Sequence, residues 1–220
     1  MAVRIAGARV LVTGANRGLG SVFARTLVAR GAGVVYAGAR DPAQVTIPGV
    51  EPVRLDITSA EDVAAAAVRC ADIDILINNA GLMRFAPVLA APGIDAAREE
   101  METNYFGTLR MCRAFAPILA AGGGGALVNM LSIVSWFANP LNSSYCASKS
   151  VTRAYCGATS VALSLVISHI GDAASDGATD TPTMIRAIAS ISRHMSSSCS
   201  YITIPWTSSF VRYCSMVELG

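Results

Sequence analysis

The chain has 220 residues, 53% of them hydrophobic and 15% charged, with a formal net charge of +2. That is ample apolar material for the core of one domain and far from the composition of disordered chains. The charge balance and the scattered arginines exclude a nucleic-acid footprint, and no apolar run is long enough to span a bilayer, since "APILAAGGGGALVNML" is broken by Pro117 and four glycines.

The start, "MAVRIAGARVLVTG", lacks the cleavage-site pattern of a secretory leader and runs directly into a first strand, Val10 to Val12, which breaks at Gly14. A helix is predicted from about Gly18 to Arg30, with Val22, Phe23, Leu27 and Val28 on its inner side and Gly31 as its stop. "GVVYAG" reads as a second strand and "VEPVRLDI" as a third. Ser59 to Asp62 forms an N-cap box for an alanine-rich helix. "IDILINNAG" is a fourth strand, Ile94 to Leu119 one long helix, "GGGGALVNMLS" a loop and fifth strand, and "SSYCASKSVTRAYCGATSVAL" another helix.

Apolar strands alternating with helices imply right-handed crossovers and a parallel sheet covered on both faces. The expected fold class is therefore α/β, a doubly wound parallel sheet in three α/β/α layers, forming one domain over residues 1–220. Such sheets bind ligands at the carboxyl ends of their strands.

The texture changes beyond Lys149. Serine rises from 7 of the first 149 residues to 14 of the last 71, while alanine falls from 29 to 8. This divides the domain into a regular part, 1–150, and an atypical C-terminal part, 151–220. Within the latter, "SLVISHI" is read as a sixth strand, "TPTMIRAIASISRHM" as a helix and "SYITIPW" as a further strand.

Cysteines stand at positions 70, 112, 146, 156, 199 and 214 with no Cys-x-x-Cys pair, and the two histidines come late, at 169 and 194. A metal site is not expected, and the thiols fit a reduced, cytoplasmic protein.

The first chemistry-bearing motif is Thr13-Gly14-Ala15-Asn16-Arg17-Gly18-Leu19-Gly20. Glycines there let the backbone turn tightly and approach a pyrophosphate, which then rests on the amino end of the following helix. A plain strand-to-helix turn is the alternative, but the placement directly after the first strand favours a nucleotide. The second is the only lysine of the chain, Lys149, four residues after Tyr145; all sixteen other basic residues are arginine. A lone lysine suggests a site that needs a compact ammonium. At that spacing on a helix the two side chains share a face, where an ammonium would favour the tyrosinate and lower the phenol toward neutrality.

Together with Asn78-Asn79-Ala80-Gly81, Asn104 and Ser132, in this order and spacing, these motifs resemble the short-chain dehydrogenase/reductase family in its single-domain, Rossmann-like form. The resemblance covers residues 7 to 150. It implies hydride transfer between NAD(P)(H) and a carbonyl or alcohol carbon of a small molecule. In that family Tyr145 would be the general acid/base and Lys149 would hold the nicotinamide ribose. Ser132 would bond the substrate oxygen, with Ser135 a rival of poorer spacing, and Asn104 would anchor a water linking Lys149 to solvent. Gly14, Asn16, Arg17, Gly18, Leu19 and Gly20 would cradle the cofactor. Asp56 would contact the adenine beside Ile57, though an aspartate ahead of a helix cap reads the same way. Asn79 would tie adjacent strands, with Ala80 and Gly81 beside the cofactor. Family members usually pair through the helices carrying Asn104 and Tyr145, which implies a homodimer or homotetramer.

Cofactor choice turns on the end of the second strand, "VVYAGARDPA". A carboxylate there would bond a ribose 2′-hydroxyl, and arginine would meet a 2′-phosphate. Gly38 stands where the acid is expected, Arg40 follows and Arg17 is near, so NADP(H) is favoured and NAD(H) stays open. Asp41 would reverse this if it faced the ribose.

The tail departs from the family pattern. No Pro-Gly follows Lys149, and "TDTPTM" only faintly resembles the substrate-loop segment, with Thr181 or Thr183 as its threonine. The alternative to an active NADP-dependent enzyme is thus a weakly catalytic nucleotide-binding protein whose substrate pocket is incomplete or altered.

Overall fold

The computed structural model describes residues 4–158, apart from 86, 88, 91 and 92, together with the backbone of two later strands, 163–167 and 214–215. The expected helix and strand at "TPTMIRAIASISRHM" and "SYITIPW", and "TDTPTM" itself, lie outside the described residues.

Seven strands form one sheet: β1 (Arg9–Thr13), β2 (Val34–Ala39), β3 (Glu51–Arg54), β4 (Ile75–Asn78), β5 (Ala126–Ser132), β6 (Leu163–Ile167) and β7 (Cys214–Ser215), in the order β3-β2-β1-β4-β5-β6-β7. β1 to β6 pair in parallel. The sixth strand thus takes its expected place, whereas β7 is a two-residue antiparallel addition at the edge.

The helices are α1 (Gly18–Ala29), α2 (Ala60–Arg69), α3 (Asp95–Met101), α4 (Thr108–Ala121) and α5 (Ser143–Ala158). Alternate strand residues face opposite layers, as the pleat demands. Val10 and Val12 pack with Phe23, Leu27, Ile75 and Ile77 on the α1 side. Leu11 packs with Leu76, Leu127, Met111 and Phe115 on the α2 and α4 side. Phe23 and Phe115, at 1% and 0% exposure, anchor the two layers; burying each contributes about 1.5–3 kcal/mol. The architecture is the doubly wound α/β/α sandwich expected from the strand–helix alternation.

One element differs from its expectation. The long helix over 94–119 is interrupted: α3 ends at Met101, a π-helical segment covers Glu102–Gly107, and α4 then begins. Within this wider turn the Asn104 carbonyl accepts the hydroxyls of Thr108 (2.9 Å) and Thr152 (3.1 Å). No helix of the described residues is long and apolar enough to cross a membrane.

Candidate active site

The turn between β1 and α1 is built for an anion. Gly14 and Gly18 have φ of +65° and +53°, which side-chain-bearing residues rarely adopt. Arg17 precedes α1 in extended conformation, and the helix has neither a side-chain cap nor an acid in its first turn. α2, by contrast, is capped by Ser59 and carries Glu61 and Asp62 there. The amide end of α1 is thus left for an anionic ligand. Gly20 sits beneath the turn: a Cβ on it would fall 2.1 Å from the Gly14 carbonyl oxygen and 2.6 Å from Asn79 Nδ2.

Asn79 locks this turn to β4. Its Nδ2 donates to the carbonyls of Thr13 (2.9 Å) and Gly14 (3.3 Å), while the Thr13 hydroxyl accepts the amides of Asn79 (3.0 Å) and Ala80 (2.9 Å). Thr13 is a positioning group that was read only as the first letter of the glycine motif.

From this turn a cleft of about 1190 Å³ runs over the carboxyl ends of β1, β2 and β4. Gly14, Asn16, Arg17, Gly18, Leu19, Arg40, Asp56, Ile57, Asn79, Ala80 and Gly81 line it, so the candidate cofactor residues converge, with Gly20 just below. Ala39, Thr58, Leu82 and Phe106 also line it and were not singled out beforehand. Position 38 is tightly packed: a Cβ there would lie 2.8 Å from Leu55 Cδ2, which would have to move, and 3.2 Å from the Val12 carbonyl oxygen. The strand end that faces the cleft is Ala39, followed by Arg40. Asp41 turns to its own chain, where its carboxylate accepts the Ala43 amide (3.0 Å) and Gln44 Nε2 (3.1 Å).

Asp56 is held by the chain that follows it, while Ser59 is the cap of α2. Asp56 lines the cleft, and its Oδ1 accepts the amide and hydroxyl of Thr58 at 2.9 and 2.7 Å. Burial alone would raise its carboxyl, but these bonds and the nearby Arg40 and Arg54 hold it below the usual carboxylate range.

The cleft's inner wall is Gly81, and Lys149 stands behind it. Lys149 is 6% exposed, and its Nζ donates to the Met130 carbonyl at 2.9 Å. A Cβ on Gly81 would lie 3.5 Å from that Nζ and 3.0 Å from Asn104 Oδ1. Asn104, wholly buried, clamps the backbone of Leu82 by accepting its amide (2.9 Å) and donating to its carbonyl (2.8 Å), and also donates to Ser148 Oγ at 3.0 Å. The Lys149 ammonium is 5.8 Å from the centroid of the Tyr145 ring, so the two do share a face of α5.

Ser132, at the end of β5, is hydrogen-bonded to the Tyr145 hydroxyl. Ser135 is not the partner. Its hydroxyl is buried without a hydrogen bond, and its carbonyl is held by Ser150 and Arg153. The expected lowering of the phenol is corrected by the structure. Burial pushes Tyr145 above the ordinary tyrosine value, the Ser132 bond pulls it down, and Glu100 and Cys146 push it up again. Withdrawal from water disfavours the tyrosinate, and that effect outweighs the Ser132 bond.

A family model described as short chain dehydrogenase matches residues 8–165. The chain belongs to the short-chain dehydrogenase family. Among solved structures of this family, a short-chain dehydrogenase from Burkholderia cenocepacia in complex with NADP is 40% identical, with a TM-score of 0.78 and 84% of each chain covered. A gluconate 5-dehydrogenase from the same organism, in complex with NADP and tartrate, is 29% identical with a TM-score of 0.64, over 70% of this chain and 64% of that one. Human 17-beta-hydroxysteroid dehydrogenase type 1 is 34% identical over 170 residues, 70% of this chain and 52% of that protein. The chain spans about half the length of the curated relatives it matches. Its relatives are named dehydrogenases and reductases.

Proposed function

We propose that this protein is an NADP(H)-dependent oxidoreductase acting on a carbonyl or alcohol carbon of a small molecule, with Tyr145 as general acid/base. The observation that carries the reading is the grouping of Ser132, Tyr145 and Lys149, with Lys149 standing directly behind Gly81 in the wall of the cleft that starts at the uncapped end of α1.

The bound cofactor would supply or accept a hydride at the substrate carbon. Gly14 to Gly20 fit its pyrophosphate, because the positive φ of Gly14 and Gly18 makes a tight turn that leads into the uncapped amide end of α1. Arg40 and Arg17, with Asp41 turned away, support a 2′-phosphate and hence NADP. Lys149 would hold the ribose hydroxyls. In reduction, the Tyr145 hydroxyl gives its proton to the carbonyl oxygen, which Ser132 also bonds; in oxidation the tyrosinate takes that proton back. The raised phenol suits the first direction, since the protonated form is the donor.

We read Asn104 as the clamp that holds the loop after β4 against Lys149 and carries the link to solvent. Residues 1–150 would hold the cofactor and the catalytic groups. The cytoplasm fits the buried thiols of Cys70, Cys112 and Cys146, none of them in a disulfide. Phe106 and Val151, 42% and 38% exposed on the π segment and α5, suit pairing of identical subunits along those helices.

The test is NADPH consumption with a panel of ketones and aldehydes, product alcohol being quantified. Turnover that disappears in Tyr145→Phe supports the reading. NADPH binding with no carbonyl reduced would favour a nucleotide-binding protein without turnover.

A further inference from the structure

Glu100 is a fully buried acid, at 0% exposure, that no step above uses. It lies in α3, one turn ahead of Asn104. One carboxylate oxygen accepts the Arg84 amide at 2.6 Å, and the other accepts the Ser144 hydroxyl at 2.5 Å. Arg84 belongs to the loop after β4, the segment that Asn104 also clamps at Leu82. Ser144 is in the first turn of α5 and immediately precedes Tyr145. The Arg84 guanidinium goes to Glu99 (Nε to Oε2, 2.6 Å), on the exposed side of α3. Among the described residues no cation is ion-paired with Glu100.

Burying a carboxylate without a cation is costly in free energy. An apolar side chain could fill that space without the penalty. What the carboxylate adds is two directed bonds, one to each segment bordering the reaction site, and a fixed negative charge beside the phenol.

We propose that Glu100 is a positioning residue for the reaction, fixing the start of α5, and with it Tyr145, against the loop that closes the inner end of the cofactor cleft. The proposal rests on the reading of Tyr145 as general acid/base. The other groups facing the phenol are Ser132 from β5 and Cys146 and Lys149 from α5; those facing Glu100 are the Arg84 amide from the loop and Ser144 and Tyr145 from α5, while the Glu99 carboxylate is drawn to the Arg84 guanidinium. Glu100 is one of the groups that hold the phenol up, so its neutralisation makes the tyrosinate easier to form.

The experiment compares wild type, Glu100→Gln and Ser144→Ala, each with its Tyr145→Phe counterpart. Three quantities are read: kcat with NADPH and a carbonyl substrate, Kd for NADPH, and titration of the Tyr145 phenol as the tyrosinate absorbance lost in the counterpart. Glu100→Gln should lower kcat about tenfold or more through misplacement of the acid, with Kd held within about twofold. Its phenol should titrate at lower pH. Ser144→Ala keeps the charge, so kcat should fall several-fold while the titration stays put. A purely structural role would lower stability without moving the titration. Wild-type kcat in both variants, or an unmoved phenol in Glu100→Gln, overturns the proposal. If Glu100→Gln does not fold, Ser144→Ala decides, and undiminished kcat overturns it. If wild type reduces no carbonyl, the enzyme reading fails separately and the phenol titration alone decides on Glu100.

Discussion

Lys149 Nζ donates to the carbonyl oxygen of Met130 at 2.9 Å, which pins the only lysine of the chain to the end of β5, two residues before Ser132. A strand carbonyl thereby aims the ammonium at the wall that Gly81 leaves open. An arginine would not fit: its planar head needs a wider, in-plane set of acceptors.

If Tyr145 is the proton donor, its hydroxyl and not its ring is what matters. Tyr145→Phe should lower kcat by about 10²- to 10⁴-fold and leave Kd for NADPH within about twofold. Steady-state kinetics together with fluorescence titration separates the two effects.

The Ser132 bond pulls the Tyr145 phenol down against its burial. Removing it in Ser132→Ala should move the phenol further up. Alcohol oxidation, which needs the tyrosinate, rises with pH; that rise should come at higher pH in the variant. A pH–rate profile of oxidation checks the sign, and a shift toward lower pH would contradict it.

Gly20→Ala puts a Cβ 2.1 Å from the Gly14 oxygen, a backbone atom that cannot give way without opening the turn. The expected loss is about 3 kcal/mol or more of stability, a fall in Tm of roughly 6–12 °C for a domain of this size, together with loss of NADPH binding. Calorimetry and titration check both.

Arg40 lines the cleft where Asp41 does not. Arg40→Ala should weaken NADPH binding by roughly tenfold to a hundredfold, the loss of one charge-assisted bond, and leave NADH little changed. The ratio of the two Kd values is the readout.

Much of this was legible in the residues. β1 to β5, the glycine turn and the Ser59 cap follow from apolar runs, glycines and a capping pair, all of them local signals. The break at Glu102–Gly107 was not legible, because apolar periodicity runs through it and the partners of the Asn104 carbonyl include Thr152, a residue distant in sequence, beside the nearby Thr108. The sequence "REEMETN" does not mark which glutamate is buried. Glu100 is enclosed only because the loop after β4 and the start of α5 close over it. The direction of the Tyr145 shift was missed for a like reason. Spacing reveals a neighbouring charge, whereas desolvation depends on everything packed around the phenol.

The central claim is that the cleft and the catalytic trio form one site joined at Lys149. The most direct test is fluorescence titration of wild type and Lys149→Ala with NADPH and NADH. Tight NADPH binding in wild type, weakened roughly tenfold or more by the substitution and preferred over NADH, is the predicted result. Binding of NADPH that is indifferent to Lys149→Ala would contradict it.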